Sequence, residues 1–105
     1  MDLEGADQNF SATGAVAGDR VTVTVAGEVD MSTADDMFRA ATPDGAGSVT
    51  LDLTRVTFFD SAAIHALVRL AERYPSTLEV VPSPVVLRVL DISGLADQPW
   101  LRVRR

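Results

Sequence analysis

The chain has 105 residues with a formal net charge of −6, and 47% of its residues are hydrophobic. This length indicates one domain, and the negative charge argues against binding to nucleic acid, which depends on cations placed against phosphates. The sequence contains no cysteine and one histidine, which excludes disulfides and leaves no spacing typical of a metal site. No apolar run reaches the length of a membrane span, and we predict a cytoplasmic protein without membrane insertion.

Strand and helix patterns alternate along the chain, which is typical of an α/β domain. We expect residues 1–8 to form a flexible acidic tail and residues 9–105 to form the domain. A weak edge strand at residues 10–15 is predicted to pair as a hairpin with the alternating segment 21–25. Ser32 is predicted to cap the first helix that follows.

Two further helices follow predicted strands at residues 49–53 and 78–81. The first is predicted over residues 61–74. Four of its apolar residues recur at helical spacing and are expected to face the sheet: Ile64, Leu67, Val68 and Ala71. The second is predicted over residues 83–94, because a capping serine and a first-position proline open this segment and a glycine closes it.

The pair Asp60-Ser61 stands where an apolar strand gives way to a helix. The first N–H groups of a helix lack internal partners and the helix dipole is positive there. Asp60 is therefore suited to cap the helix, and Ser61 lies where a phosphate is tolerated. Two interpretations fit this pattern: a phosphorylatable serine, and an ordinary capping pair without chemistry. Ser61 shares the predicted exposed stripe of its helix with His65 and Arg69.

The same region also contains the residue types of a serine nucleophile with its base and orienter. His65 lies one helical turn from Ser61, but no carboxylate is evident beyond it and no Gly-x-Ser-x-Gly elbow is present. No glycine-rich phosphate motif occurs and the chain has no lysine, which argues against a nucleotide cofactor and against a two-component receiver domain. We expect no catalytic residue, no cofactor and no metal.

Four segments occur in a characteristic order along the chain: Gly27-Glu28-Val29-Asp30, Leu51-Asp52-Leu53, Phe59–Ile64 and Val89–Leu95. Together they resemble a STAS domain, and the sequence is similar to the anti-sigma factor antagonists of bacteria from about Arg20 to Leu101. The resemblance implies a single α/β domain with a mixed β-sheet and α-helices packed mainly on one face. It also favours the phosphoserine interpretation over the capping pair.

The resemblance further implies a partner switch. Ser61 matches the serine that an anti-sigma factor with serine kinase activity phosphorylates. Asp60 matches the acidic residue before it, and Asp30 matches the aspartate that lies close to that serine. The unphosphorylated form then binds the anti-sigma factor and releases a sigma factor, phosphorylation switches binding off, and a serine phosphatase is a further partner. We expect seven residues to contact the partner: Asp30, Asp60, Ser61, Ala62, His65, Arg69 and Leu87.

Leu87 lies outside the predicted core face of its helix, so we expect a polar substitution there to weaken partner binding with little loss of stability. The alternative is that the helix is apolar on a broad face and that Leu87 is buried with its neighbours. Ala63 stands where the family usually has glycine, and its methyl group is expected where a partner approaches the backbone. The main alternative is a STAS subunit of another assembly, such as a lipid-transport ATPase complex or a stress-signalling scaffold, in which Ser61 need not be modified. A small serine hydrolase is the alternative from another class.

Overall fold

The computed structural model describes residues 9–103, so the predicted tail at residues 1–8 lies outside the described residues. The elements follow in this order: β1 (Phe10–Ala17), β2 (Arg20–Val29), α1 (Ala34–Ala40), β3 (Ser48–Phe59), α2 (Ser61–Arg73), β4 (Leu78–Pro82) and α3 (Pro84–Ile92). This alternation of strands and helices confirms the predicted α/β class.

The four strands form one mixed sheet in the order β1-β2-β3-β4. β1 and β2 pair antiparallel as the predicted hairpin, whereas β2 with β3 and β3 with β4 pair parallel. β3 extends well beyond the predicted segment 49–53. Two register shifts against β2 accommodate residues whose burial does not alternate, so the strand pairing continues past them. This extension carries β3 directly to the start of α2.

One face of the sheet is buried and the other is open. Buried aliphatic residues alternate along β2 and the first half of β3 with threonines and other residues that are exposed or half-buried. Val21, Val49 and Leu78 lie side by side in register, and all three are buried. Each helix adds a fully buried side chain to this core: Met37, Leu67 and Leu90. The predicted packing of helices on one face is confirmed.

The core-facing stripe of α2 is rotated from the predicted one. Its buried residues are Ala63, Ala66, Leu67 and Leu70, whereas Ile64, Val68 and Ala71 are only half-buried. The helix packs against α1 as well as against β3, so its apolar arc is broader than the four-residue stripe that the sequence predicts.

The start of α1 also differs from the prediction. Its N-cap is Thr33, which makes no side-chain capping bond. Ser32 does not cap the helix, because it lies one residue before the N-cap. Its Oγ donates to Oδ1 of Asp30 at 2.8 Å, and this charge-assisted hydrogen bond holds the Ser32 side chain against Asp30.

The predicted ends of α3 are confirmed. Ser83 Oγ accepts a hydrogen bond from Val86 N–H at 3.2 Å, which caps the start of the helix. At the other end Leu95 N–H donates to the Leu90 carbonyl at 2.7 Å, so the chain turns away after the last helical residue.

The segment after α3 returns to the sheet, which the sequence does not predict. Leu101 forms a parallel bridge with Val80 of β4, and Val80 N–H donates to the Trp100 carbonyl at 2.8 Å. Trp100 and Leu101 are buried at this position. The outer edge of β4 is therefore covered.

Candidate functional site

The parallel strands β2 and β3 end side by side and bring two of the predicted residues together. Val29 pairs with Phe59 in register, and Asp60 N–H donates to the Val29 carbonyl at 3.3 Å. Asp30 directly follows Val29, so Asp30 and Asp60 lie at the carboxyl ends of neighbouring strands. This edge of an open α/β sheet is the usual place for a binding site, because loops and helix starts meet there.

Gly27 shapes the approach to this edge. Its φ is +94°, and a Cβ atom at this position would lie 1.9 Å from the Asn9 carbonyl oxygen. The same carbonyl accepts a hydrogen bond from Glu28 N–H at 2.6 Å. A larger residue would break this pairing, so the glycine of the Gly-Glu-Val-Asp segment is a structural requirement.

Asp30 is held by the turn that follows it. Its Oδ1 accepts hydrogen bonds from Ser32 N–H at 2.9 Å and from Ser32 Oγ at 2.8 Å. Thr33 Oγ1 lies 3.1 Å from the same Oδ1 and 2.9 Å from the Glu28 carbonyl oxygen, and it donates to one of them at a time. These bonds, that from Ser32 Oγ foremost, lower the pKa of Asp30 below its ordinary value of 3.8. Asp30 is therefore an oriented anion at neutral pH.

Asp60 caps α2 and thereby sets the position of Ser61. Its backbone is extended, with φ −107° and ψ −169°, and its Oδ1 accepts from Ala63 N–H at 3.1 Å. Ser61 is the first residue of the helix, and it is exposed. Its hydroxyl group therefore stands at the positive end of the helix dipole, beside the cap residue Asp60 and near the strand end that carries Asp30.

The exposed stripe of α2 divides into two parts. His65 is exposed and lies about 6 Å along the helix axis from Ser61, at 1.5 Å per residue. Arg69 is twice as far away, at about 12 Å, and its guanidinium carbon lies 4.1 Å from the centroid of the Phe38 ring in α1. Arg69 therefore joins the two helices, and His65 is the nearer of the two residues to the Ser61 hydroxyl.

The two alanines after Ser61 have different surroundings. Ala63 is fully buried, so its methyl group faces the core and not an approaching partner, which corrects the expectation from the sequence. Ala62 is half-buried at the start of the helix. Of these two alanines, only Ala62 is therefore accessible to a partner beside Ser61.

Leu87 lies on α3 and lines a groove that includes none of the other predicted site residues. The groove has a volume of about 330 Å³ and is also lined by Pro82, Pro84 and Val103. The Leu87 side chain is half-buried and packs against the core, which lies between the two alternatives that the sequence leaves open. Leu87 therefore belongs to a separate part of the surface from the Asp30, Asp60 and Ser61 cluster.

Two exposed apolar residues near the carboxylates are missed by the sequence analysis. Met31 directly follows Asp30 and is 84% exposed, and Phe58 pairs with Glu28 at the end of β3 and is 47% exposed. The doublet Phe58-Phe59 is the available signal, because successive strand residues point to opposite faces and only one of the two rings can be in the core. These side chains place exposed apolar surface next to the anions.

The arrangement is suited to modification and binding. Asp60 Oδ1 accepts from Ala63 N–H, so this carboxylate oxygen caps the helix and does not orient the His65 imidazole. Within residues 9–103 no group of three or more histidine, cysteine, aspartate or glutamate residues is placed to hold a metal ion. No helix of the described part of the chain is long and apolar enough to cross a membrane.

Solved structures with the same fold share much of this architecture. A crystal structure of an anti-sigma factor antagonist from Mycobacterium paratuberculosis has a TM-score of 0.75 and 24% identity, and the match covers 88% of this chain and 84% of that chain. SpoIIAA in its unphosphorylated form has a TM-score of 0.67 and 20% identity, over 91% and 88% of the two chains. The Bacillus cell fate determinant SpoIIAA in its phosphorylated form has a TM-score of 0.65 and 21% identity, over 91% of each chain. These similarities confirm the fold.

The family follows from a sequence comparison. Among curated proteins, no sequence match to the chain reaches significance. The family model described as "Mlab, STAS domain" matches residues 13–103, which is most of the chain. The chain therefore belongs to the STAS domain family.

Proposed function

We propose that the chain is an anti-sigma factor antagonist that acts in the cytoplasm by binding and not by catalysis. Its unphosphorylated form captures an anti-sigma factor with serine kinase activity, which frees a sigma factor. Phosphorylation of Ser61 releases the anti-sigma factor, and a serine phosphatase restores the first state. The observation that carries this proposal is the exposed hydroxyl of Ser61 at the first position of α2, beside the carboxylates of Asp30 and Asp60.

The effect of the phosphate follows from the charges around Ser61. A phosphoserine adds roughly −1.5 to −2 charges and three acceptor oxygens. In the free protein this group stays hydrated, and the positive end of α2 offsets part of its charge. In a complex it would lose water next to Asp30, whose low pKa keeps it ionised at neutral pH. The like charges therefore oppose binding only when Ser61 is modified.

The apolar residues beside these anions fit a protein partner. Met31 and Phe58 are exposed, and they flank the carboxylates along the chain. A partner surface with an apolar patch would match these side chains. Solved structures of anti-sigma factor antagonists, one of them in a phosphorylated form, share the fold and support the proposal.

The test is to map the phosphate. The chain is incubated with ATP and the anti-sigma factor that it captures from cytoplasmic extract, and its mass is measured. We expect one added phosphoryl group on Ser61. Ser61→Ala should gain none, whereas Ser93→Ala, which changes another exposed helix-terminal serine, should be modified like the wild type. No added mass, or a phosphate on another residue, would overturn the proposed switch.

A second candidate function is a STAS subunit of another assembly. The family description names Mlab and no sigma factor, which is the observation that favours this candidate. The capture experiment separates the two, because transporter subunits would replace the anti-sigma factor among the bound proteins. A serine hydrolase would instead cleave generic ester substrates, and Ser61→Ala would abolish that cleavage.

A further inference from the structure

β1 is the edge of the sheet that carries no neighbour among the described residues. It pairs with β2 on one side only, whereas the opposite edge at β4 is bridged by Leu101. An unpaired edge presents a row of backbone N–H and C=O groups, and proteins usually protect such edges with charged side chains, proline or bulges. β1 has none of these features.

The sequence of β1 makes it suited to pairing. Its eight residues, Phe-Ser-Ala-Thr-Gly-Ala-Val-Ala, include no charge and no proline, and its register with β2 is unbroken. Val16 is 70% exposed although it pairs with the buried Val21 and so lies on the core face of the sheet. The edge is therefore both open and partly apolar.

The hairpin geometry determines which backbone groups point outward. Ala17 and Arg20 close a two-residue turn in which Gly18 has φ +64°, and the closing pair of such a turn is hydrogen-bonded within the hairpin. Hydrogen-bonded pairs then alternate along the ladder. At the far end Glu28 N–H donates to the carbonyl of Asn9, which is an odd-numbered residue like Ala17, so the same alternation holds there. The outward groups therefore belong to the even residues: Phe10, Ala12, Gly14 and Val16.

We propose that a second copy of this chain pairs antiparallel with β1, about a two-fold axis that is perpendicular to the sheet and passes midway between the two copies of Thr13. In this register Phe10 lies opposite Val16 of the other copy, and Ala12 lies opposite Gly14. All four outward residues of each strand then form hydrogen-bonded pairs with residues that face the same side of the sheet. A shift of two residues in either direction leaves one outward residue of each copy without a partner inside β1.

The side chains support the same register. The exposed Val16 is brought against Phe10, which lines a groove of about 340 Å³ with Ala12, Ala40 and Asp36. Asp36 forms an ion pair with Arg39, so its charge is balanced before a second molecule arrives. On the open face of the sheet the two copies of Thr13 meet at the axis, a cross-strand pair that is favourable in sheets.

Single cysteines test this geometry directly, because the chain has none of its own. Thr13 forms a non-hydrogen-bonded pair across the axis, where Cα atoms lie about 4.5 Å apart, within the range that a disulfide spans. Under mild oxidation Thr13→Cys should form a disulfide-linked dimer about tenfold faster than Thr22→Cys, which places the same thiol on the neighbouring strand. A mixture of Ser11→Cys and Ala15→Cys should cross-link into a heterodimer faster than either variant alone.

Sedimentation equilibrium of the full-length chain tests the free assembly. The wild type should show concentration-dependent dimers. Ala12→Pro removes an outward N–H without removing a hydrogen bond to β2, and Thr13→Lys places two like charges at the axis, so both should be monomeric. Thr22→Lys, the matched charge control on β2, should dimerise like the wild type. Circular dichroism identifies any variant that fails to fold, and the cysteine pairs do not depend on the proline variant.

Two results would overturn the proposal. One is a wild type that stays monomeric while Thr13→Cys oxidises no faster than Thr22→Cys. The other is a dimer that persists unchanged in folded Ala12→Pro and Thr13→Lys, since it would use another surface. None of these measurements involves Ser61 or a kinase, so their outcome is independent of the proposed switch.

Discussion

Ser83→Ala should destabilise the domain more than any ordinary helix-cap substitution, because one hydroxyl group makes two buried hydrogen bonds. Ser83 is 4% exposed. Its Oγ donates to the Val56 carbonyl at 2.7 Å and accepts from Val86 N–H at 3.2 Å. The hydroxyl thus joins the start of α3 to the second half of β3.

The magnitude follows from these two bonds. Loss of a serine cap costs about 1 kcal/mol. A buried carbonyl left without its donor costs a further 1–3 kcal/mol or so, roughly the desolvation penalty of the group. We therefore expect the free energy of unfolding to fall by about 2–4 kcal/mol, out of a total of about 5–15 kcal/mol for a domain. At about 4–8 °C per kcal/mol, the melting temperature should fall by roughly 8–32 °C.

Urea unfolding provides the assay. The single tryptophan, Trp100, is buried and reports the tertiary structure by fluorescence, while circular dichroism reports the helices. Ser93→Ala is the matched control, because Ser93 is exposed at the other end of the same helix. It should change the free energy of unfolding by less than about 0.5 kcal/mol. If Ser83→Ala costs no more than this control, the reasoning about the buried carbonyl is wrong.

Four further predictions concern the site and the other residues that are expected to contact the partner. Asp30→Ala should impair partner binding more than folding, and a stably folded variant with normal affinity would contradict the role of Asp30. The pKa of Asp30 in the folded protein lies below 3.8, so its ionised carboxylate should stabilise the fold above pH 3.8 and lose this contribution as the pH falls through the lowered pKa. The difference in the free energy of unfolding between the wild type and Asp30→Asn, measured by urea titration, should therefore disappear as the pH is decreased. Leu87→Ser should weaken partner binding and, since the side chain is half-buried, lower the free energy of unfolding by about 1 kcal/mol. A large loss of stability with normal affinity would place Leu87 in the core alone. Arg69→Ala should cost about 0.5–1 kcal/mol through its contact with Phe38, and a double-mutant cycle with Phe38→Leu in urea unfolding should show that coupling; zero coupling would contradict it.

Much of the fold follows from the sequence, because the relevant signals are local. The serine-proline start and the glycine end of α3 are helix-capping signals. The alternating valines of β2 indicate a strand with one face buried against the core. The role of Asp60 as the cap of α2 can likewise be predicted from the residues next to it. These features depend on neighbours within one turn or one strand.

Most of the errors come from contacts between distant parts of the chain. The exception is Ser32, whose hydroxyl donates to Asp30 two residues earlier, while the N-cap of the helix is the next residue, Thr33. The stripe of α2 is rotated because α1 packs beside it, which no periodicity within α2 shows. The bridge between Leu101 and Val80 joins segments about twenty residues apart, and no local pattern announces it. In the site, the closeness of Asp30 and Asp60 depends on β2 and β3 being parallel neighbours.

The central claim is that a phosphate on Ser61 controls partner binding through charge. The direct measurement is isothermal titration calorimetry of the anti-sigma factor with two forms of the full-length chain, unmodified and phosphorylated on Ser61. The account predicts an affinity at least about tenfold weaker for the phosphorylated form, within the range of typical coupling energies. Ser61→Ala should bind like the unmodified chain. Equal affinities of the two forms, with the phosphate verified on Ser61 by mass, would contradict the account.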